Sequence, residues 1–136
     1  MKKILTVGVY DLLHYGHVEL FRRAKKLGDY LIVAVQESDY ILKFKPNAET
    51  VNSTEIRMYM VKSIRYVDEV IPYSAVDEIV CRIDFDAFAK GPDQNHEAFQ
   101  RAVKWCMEHG KEVITLSRTE GISSSLLKQQ IQHNKM

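Results

Sequence analysis

Short apolar runs that alternate with amphipathic helical patterns are the feature that most limits how this chain can fold. Residues 4–9 are β-branched and almost wholly apolar, as expected for a strand buried on both faces of a parallel sheet. Residues 17–27 place apolar side chains at helical spacing, and residues 30–35 are apolar again. Strand, helix and strand follow one another within about 30 residues, the size of one βαβ unit.

The same alternation continues along the rest of the chain. Further strands are predicted at residues 67–73 (ended by Pro72), 87–90 and 113–116, and further helices at 54–66, 76–82, 96–108 and 124–132. The pattern predicts an α/β fold: a single Rossmann-like domain with a doubly wound, mainly parallel five-stranded sheet and helices on both faces. Residues 37–53 are the one stretch predicted to be irregular.

The composition fits one globular domain and carries no global electrostatic signal. The chain has 136 residues, of which 46% are hydrophobic and 27% are charged. That length is typical of a single domain, spanning residues 1–136, whose core needs no metal or disulfide. The formal net charge of +1 lacks the positive field used in non-specific nucleic-acid binding, so we expect no nucleic-acid partner.

The cysteines and the N-terminus predict a cytoplasmic protein. Cys81 and Cys106 are far apart and lie in apolar helical patterns, as expected for reduced thiols of a cytosolic protein. Met1 is followed almost at once by a strand pattern rather than by a cleavable signal, and no apolar run approaches about 18 residues. We therefore expect neither export nor a membrane segment.

In a doubly wound sheet, ligands bind beyond the carboxyl ends of the strands, where the strand order reverses. Residues 9–17, 37–53, 91–96 and 116–125 follow predicted strands and are the segments where a site is expected. The chemistry of the chain should therefore lie in these four loops.

Two histidines flank a glycine where the first strand turns into the first helix, in the pattern His14-x-Gly16-His17. Gly16 has no Cβ, so a phosphate can approach the backbone, and the unpaired N–H groups at a helix start attract anions. Both imidazoles can donate hydrogen bonds to phosphoryl oxygens and stabilise developing charge. Two unrelated surface histidines are the alternative, but the spacing, the glycine and the position after a strand favour a phosphate site.

Residues 8–17, which include this pattern, resemble the first signature of the cytidylyltransferases that act on glycerol 3-phosphate, phosphocholine and phosphoethanolamine. Residues 118–125 read Arg-Thr-Glu-Gly-Ile-Ser-Ser-Ser and resemble the second signature of that family. Residues 55–57 and 64–70 are also similar to family segments, so the resemblance covers nearly the whole chain. The chain most resembles the small bacterial glycerol-3-phosphate cytidylyltransferases.

The resemblance implies a catalytic set and a nucleotide-binding set. His14 and His17 would bind the triphosphate and stabilise the transition state at the α-phosphorus, without acting as nucleophiles. Lys43 and Arg118 complete the catalytic set, and either Lys43 or Lys45 is the lysine that reaches the reacting phosphates. The implied nucleotide contacts are Gly8, Val9, Tyr10, Asp11, Gly16, Gly91, Asp93, Thr119, Gly121, Ile122, Ser123 and Ser124.

The implied acceptor site departs from the family pattern. Lys45 and Arg57 would contact the acceptor phosphate, which an arginine can hold in bidentate fashion. Glycerol-phosphate members of the family commonly have a tryptophan directly after the segment that corresponds to Gly91-Pro92-Asp93, whereas this chain has Gln94-Asn95-His96 and a longer following helix. These polar side chains would suit a more polar acceptor, such as an amino-acid or sugar phosphate used for a cell-surface polymer. We therefore expect glycerol 3-phosphate not to be the best acceptor.

The reaction that the resemblance implies is in-line attack by the acceptor phosphate on the α-phosphorus of CTP, with release of pyrophosphate. Such catalysis depends on positioning and charge stabilisation, which suits a set of His, Lys and Arg residues. Mg²⁺ would be held mainly by the phosphates of CTP and by water, and no separate metal centre is expected. Relatives in the family are typically homodimers, so a homodimer is expected.

Other functions fit parts of the pattern. An adenylyltransferase of the same superfamily is the nearest alternative, because His-x-Gly-His alone does not select the base, although residues 118–121 favour cytidine. A non-catalytic nucleotide-binding module would not need His14, His17, Lys43 and Arg118 together. An aminoacyl-tRNA synthetase fragment would be longer and would carry a Lys-Met-Ser-Lys-Ser-like loop. A dinucleotide oxidoreductase would have Gly-x-Gly-x-x-Gly after the first strand, which this sequence lacks.

Overall fold

Strands and helices alternate along the part of the chain that the computed structural model describes, residues 1–117 and Ile131. The strands are β1 (Lys3–Gly8), β2 (Tyr30–Gln36), β3 (Glu69–Tyr73), β4 (Ala87–Lys90) and β5 (Glu112–Thr115). The helices in these residues are α1 (Tyr15–Lys25), α2 (Ser38–Phe44), α3 (Thr54–Lys62), α4 (Val76–Arg82) and α5 (Glu97–Glu108).

The five strands form one sheet in the order β3-β2-β1-β4-β5, and each neighbouring pair is parallel. β1 lies at the centre of the sheet. The chain moves outward from β1 to β3, then returns to add β4 and β5 on the other side of β1. The predicted fold class, a doubly wound α/β sheet of the Rossmann type, is therefore confirmed.

Helices cover both faces of the sheet because alternate residues of each strand point to opposite faces. Leu5 and Val7 of β1 join a buried cluster that also contains residues of α4 and α5. Ile4 joins a second buried cluster with Phe21 of α1 and Val61 of α3. The almost wholly apolar character of β1 follows from this burial on both sides.

The sheet opens between the carboxyl ends of β1 and β4. β1 pairs with β2 along its whole length, but it pairs with β4 only at Ile4 and Leu5. The strand order reverses at this same place, since β2 and β4 lie on opposite sides of β1. Such a switch point is where doubly wound sheets bind their ligands, so the fold places the expected site beyond Gly8 and Lys90.

Two local predictions were wrong. Residues 37–53 are not wholly irregular, because α2 occupies Ser38–Phe44. The side chain of its N-cap, Glu37, makes no capping hydrogen bond, so the usual sequence signal for a helix start is missing. Pro72 does not end β3 but lies inside it, opposite Val35. β3 is an edge strand, and a proline without an N–H is tolerated there.

Other element boundaries differ by a few residues from those predicted. α1 begins at Tyr15, and α3 ends at Lys62 instead of residue 66. Ser53 caps α3, because its hydroxyl accepts a hydrogen bond from the N–H of Ile56 at 3.2 Å. The predicted last helix, residues 124–132, lies outside the described residues except for Ile131. In the described part of the chain, no helix combines the length and apolarity needed to cross a membrane.

Candidate active site

A tight turn after β1 places the residues of the first signature at the opening between β1 and β4. Tyr10 and Leu12 have positive φ angles of 55° and 53°, which side chains other than glycine rarely adopt. The ring of Tyr10 folds back over Gly8, where an added Cβ would lie 2.7 Å from the Tyr10 Cζ. Gly8 is therefore required for this turn because the aromatic ring occupies the space of its missing side chain.

His14 is the N-cap of α1, and both histidines take part in the cap. The Nδ1 atom of His14 accepts a hydrogen bond from the backbone N–H of Gly16 at 3.0 Å. The backbone N–H of His14 donates in turn to the Nδ1 atom of His17 at 3.3 Å. This reciprocal arrangement is a capping box in which two imidazoles replace the usual hydroxyl and carboxylate.

The cap determines which ring nitrogen of each histidine carries the proton. A neutral imidazole has one donor and one acceptor nitrogen, and the acceptor is fixed by the hydrogen bond it receives. Because both Nδ1 atoms accept from backbone N–H groups, the Nε2 atoms of His14 and His17 carry the protons. The site therefore holds two neutral N–H donors, which is the arrangement expected for binding phosphoryl oxygens.

Ring packing and burial keep the His17 imidazole neutral. The His14 and His17 rings stack with their centroids 3.9 Å apart and their planes 25° apart. The edge of one ring meets the face of the other between Tyr10 and His17, whose centroids are 5.4 Å apart. Burial, with a smaller contribution from neighbouring His14, lowers the pKa of His17 to about 4. His17 is therefore uncharged at neutral pH.

These residues form one wall of a cleft of about 1090 Å³. The cleft lies where the loops after β1, β2, β4 and β5 meet, as the fold predicts. Predicted site residues that line it are Gly8, Val9, Tyr10, Asp11, His14, Gly16, His17, Lys45, Gly91, Asp93, Gln94 and His96. The structure thus brings together residues up to 88 positions apart in the sequence, and Arg118, Thr119, Gly121, Ile122, Ser123 and Ser124 lie outside the described residues.

Lys45, and not Lys43, lines this cleft. Lys45 follows α2 as its C-cap, and its backbone N–H donates to the carbonyl of Ile41 at 2.8 Å. Lys43 is exposed in the last turn of the same helix but is not part of the cleft wall. The geometry therefore favours Lys45 as the lysine facing the reacting phosphates, and the assignment of Lys43 to the catalytic set finds no support in it.

The predicted contact between Arg57 and the acceptor phosphate is wrong for this structure. Arg57 is completely buried, and it does not line the cleft. All five of its N–H donors have protein acceptors: the carbonyls of Asn52, Val9 and Gln36 and the hydroxyls of Ser38 and Thr54. An arginine at a helix start resembles a phosphate ligand in sequence, but here its donors serve the protein itself.

Two of the three polar residues assigned to a remodelled acceptor site have other roles. Gln94 lines the cleft, yet its Oε1 accepts from the N–H of Gly91 at 3.0 Å and its Nε2 donates to the carbonyl of Val7 at 2.8 Å. It ties the turn after β4 to the end of β1. Asn95 lies in a separate apolar groove beside α5 instead of the cleft. Gln94 and His96 both line the cleft, but both polar atoms of the Gln94 side chain are used within the protein.

Sequence reasoning missed several cleft residues. Tyr40 and Ile41 belong to the unpredicted α2, and Tyr73 is the last residue of β3. Arg23 of α1 also lines the cleft and donates from Nη1 to the carbonyl of Ser117 at 2.7 Å and from Nη2 to its hydroxyl at 3.2 Å. Arg23 lies in the helix predicted at residues 17–27 beside Arg22, Lys25 and Lys26, where solvated basic side chains are common, so no sequence pattern set it apart.

A parallel sheet whose switch point carries a His-x-Gly-His turn defines the class of protein: a Rossmann-like nucleotidyltransferase. The sequence matches the family described as Cytidylyltransferase-like over residues 5–130. The chain belongs to this family, and the predicted family is confirmed.

Relatives agree with this assignment along the whole chain. The glycerol-3-phosphate cytidylyltransferase of Staphylococcus aureus is 44% identical over 135 residues, covering 96% of this chain and 96% of that protein. The enzyme of the same description from Bacillus subtilis is 40% identical and covers 96% and 98%, respectively. The solved structure of a lipopolysaccharide core biosynthesis protein from Thermoplasma volcanium is 22% identical, covers 90% of this chain and 99% of that one, and superposes with a TM-score of 0.71. That structure supports the fold.

Replacing His17 with alanine should lower the turnover number by about a hundredfold or more, because one preorganised donor to the phosphates is lost. Steady-state kinetics measures the effect, with thermal melting as a test of folding. His109→Ala is the matched control, since His109, the C-cap of α5, is exposed and does not line the cleft. A His17→Ala protein that melts normally and keeps near wild-type turnover would contradict the assigned role.

His17 should titrate with a midpoint near 4, well below an ordinary histidine, as measured by nitrogen and carbon NMR shifts of its ring. Because the folded pKa is lower than the unfolded pKa of about 6.5, the unfolded chain binds more protons between these values. The stability that His17 contributes is complete above about pH 6.5 and falls as the pH drops toward 4. In His17→Gln this part of the pH dependence should disappear; a midpoint near 6.5 would show that His17 is solvated instead.

Proposed function

We propose that this chain transfers CMP from CTP to a small phosphorylated acceptor and releases pyrophosphate. One observation carries the proposal: the capping box of α1 uses the Nδ1 atoms of His14 and His17 and leaves two neutral Nε2–H donors at the helix start that lines the cleft. Preorganised N–H donors of this kind bind phosphate oxygens. Relatives support the same class of reaction, since two that match this chain over nearly all of both sequences are described as glycerol-3-phosphate cytidylyltransferases.

The reaction needs positioning more than acid–base chemistry. An oxygen of the acceptor phosphate attacks the α-phosphorus, and the bond from this phosphorus to the oxygen that bridges to the β-phosphorus breaks. Its electron pair leaves with pyrophosphate. The attacking phosphate is already ionised, so no proton has to be removed from the nucleophile. His14 and His17 would donate to the phosphoryl oxygens as negative charge develops on them, and Lys45 would add positive charge from the facing wall.

The second signature would complete this site. Arg118, Thr119, Gly121, Ile122, Ser123 and Ser124 remain proposed contacts to CTP on the basis of the resemblance. Arg23 supports this proposal because it binds the backbone and the hydroxyl of Ser117, the residue directly before the signature. Through these two hydrogen bonds, Arg23 connects the helix that carries the two histidines to the start of the second signature.

We propose that Mg²⁺ enters the site with CTP. The described residues 1–117 and Ile131 contain no group of three or more His, Cys, Asp or Glu side chains able to hold a metal ion. Magnesium commonly keeps several waters and binds through one or two carboxylates and the phosphates of a substrate, so the cleft is compatible with it. Asp11 and Asp93 are the carboxylates of the proposed nucleotide set that line the cleft, and because both oxygens of Asp11 accept backbone N–H groups, Asp93 is the one that would contact the ion. The ion would neutralise charge on the triphosphate.

We propose glycerol 3-phosphate as the acceptor. The relatives named above act on it according to their descriptions. The argument for a more polar acceptor depended on Gln94, Asn95 and His96, but the Gln94 side chain is hydrogen-bonded within the protein and Asn95 does not line the cleft. Since CTP is made and used inside cells and both cysteines are free thiols, we propose a cytoplasmic enzyme.

Pyrophosphate should be released from CTP only when a phosphorylated acceptor and Mg²⁺ are present. The experiment measures kcat/KM for each of the four ribonucleoside triphosphates with each acceptor in turn. The acceptors are glycerol 3-phosphate, phosphocholine, phosphoethanolamine, sugar phosphates and phosphorylated amino acids. We expect CTP with glycerol 3-phosphate to give the highest value. A faster reaction with ATP would refute the choice of base, and a clear preference for a more polar acceptor would restore the sequence-based expectation.

We propose that the protein is a homodimer. The resemblance implies it, and α3 exposes Ile56, Tyr59 and Met60 along one side, with the side chain of Tyr59 most exposed at 76%. Residues three and four apart lie on the same face of a helix, so these side chains form a continuous apolar stripe. A second copy of the chain would cover this stripe.

Tyr59→Glu should shift the protein toward monomers, because a charge would be buried in the proposed interface. Analytical ultracentrifugation measures the molecular mass at several concentrations. Met107→Glu is the control, since Met107 is an equally exposed apolar residue on α5. A wild-type protein that is monomeric at all concentrations, or a Tyr59→Glu protein that remains dimeric, would contradict this interface.

A further inference from the structure

One segment lines the cleft together with the turn that carries the two histidines. We call residues 38–53, which comprise α2 and the loop after it, the wall segment. Its residues that line the cleft are Tyr40, Ile41, Lys45, Asn47, Ala48, Glu49 and Thr50. Most of its middle is exposed to solvent, so contacts at its two ends determine where it lies.

Arg57 binds both ends of the wall segment. At the first residue of the segment, its Nη2 donates to the hydroxyl of Ser38 at 2.7 Å. Near the last residue, its Nε donates to the carbonyl of Asn52 at 3.1 Å. A single buried guanidinium therefore closes the segment into a loop whose ends are held a fixed distance apart.

The same guanidinium fixes this loop to the sheet. Its Nη1 donates to the carbonyl of Val9, directly after β1, at 2.7 Å and to the carbonyl of Gln36, the last residue of β2, at 2.8 Å. These two carbonyls are at the carboxyl ends of neighbouring strands. Arg57 thus fixes the position of the wall segment relative to the turn that carries the histidines.

Asp11 adds a second connection from the histidine turn to the wall segment. It is 2% exposed, and its two carboxylate oxygens accept hydrogen bonds from the N–H groups of Val51 at 2.7 Å and Asn52 at 3.0 Å. Asp11 lies three residues before His14. The negative charge of Asp11 also favours the charged form of Arg57, which opposes the effect of burial on its pKa.

We propose that Arg57 and Asp11 are positioning residues that hold Lys45 at a fixed place across the cleft from His14 and His17. Neither acts on the phosphates through its own side chain: every N–H donor of Arg57 is used within the protein, and Asp11 receives two backbone N–H groups. They act through the wall segment, which carries Lys45 between its two fixed ends. The proposal rests on the proposed function for its kinetic test.

The kinetic test is a double-mutant cycle between Arg57→Lys and Lys45→Ala, with CTP and the best acceptor. A lysine cannot reach all five acceptors of Arg57, so the wall segment should shift. We expect Arg57→Lys to lower kcat by about a hundredfold, the scale of an ångström-sized misplacement, with a much smaller change in KM for CTP. In the Lys45→Ala background, Arg57→Lys should lower kcat by less than about threefold, because the lysine that Arg57 positions is already absent. Arg82→Lys, a surface substitution on α4, is the matched control.

A second readout does not depend on activity. Hydrogen exchange of the backbone amides of Val51 and Asn52 should accelerate in Arg57→Lys and in Asp11→Asn, but remain as in the wild type in Arg82→Lys and Lys45→Ala. If Arg57→Lys fails to fold, Asp11→Asn takes its place in the cycle, because it keeps the size of the side chain and removes only one acceptor.

Additive effects of Arg57→Lys and Lys45→Ala on kcat would overturn the proposal, since they would show that Arg57 acts independently of Lys45. Unchanged exchange of the Val51 and Asn52 amides in Arg57→Lys would overturn it as well. If the wild-type protein transfers no CMP to any acceptor, the proposed function fails while the exchange experiment still tests the connection of the wall segment to Arg57.

Discussion

Two backbone N–H groups at the start of α1 determine what the active site can do. A helix begins with N–H groups that lack partners inside the helix, and most proteins satisfy them with a hydroxyl or a carboxylate. Here the N–H groups of His14 and Gly16 donate to the imidazoles of His17 and His14. The cap therefore stabilises the helix and also prepares the site for its chemistry. Because both Nδ1 atoms are occupied, the Nε2–H groups remain available at the cleft that these residues line. The stacking of the rings then fixes their orientation.

The loops around the cleft are tied to β1 by buried or half-buried polar side chains. β1 stops pairing with β4 after Leu5, so carbonyls near its end are left for other donors. Gln94 donates to the carbonyl of Val7 and holds the turn after β4, and Arg57 donates to the carbonyl of Val9 and holds the loop after β2. The opening of the sheet that makes room for a nucleotide thus also supplies the acceptors that order the cleft walls.

The sequence was a good guide to the sheet and to the first signature, and a poor one to side chains whose role depends on the loops. Apolar runs predicted all five strands. Those of β1, β2 and β4 are nearly continuous because these strands are buried on both faces of the sheet. His14, Gly16 and His17 were predicted because their pattern is local. Arg57 was misread because its five acceptors come from three separate segments, which no local pattern reveals. α2 was missed because it is short and has no polar side-chain cap.

The state of the histidines also constrains the acceptor. A neutral alcohol has to lose a proton as it attacks phosphorus, so a site for such an acceptor needs a base. The Nδ1 atoms of His14 and His17 are occupied by backbone N–H groups, and their Nε2 atoms already carry protons. His17, with a pKa of about 4, is moreover a weak base at neutral pH. An ionised phosphate needs no such base and benefits from N–H donors. The two imidazoles are therefore suited to an acceptor that attacks through its phosphate, and not through a hydroxyl group.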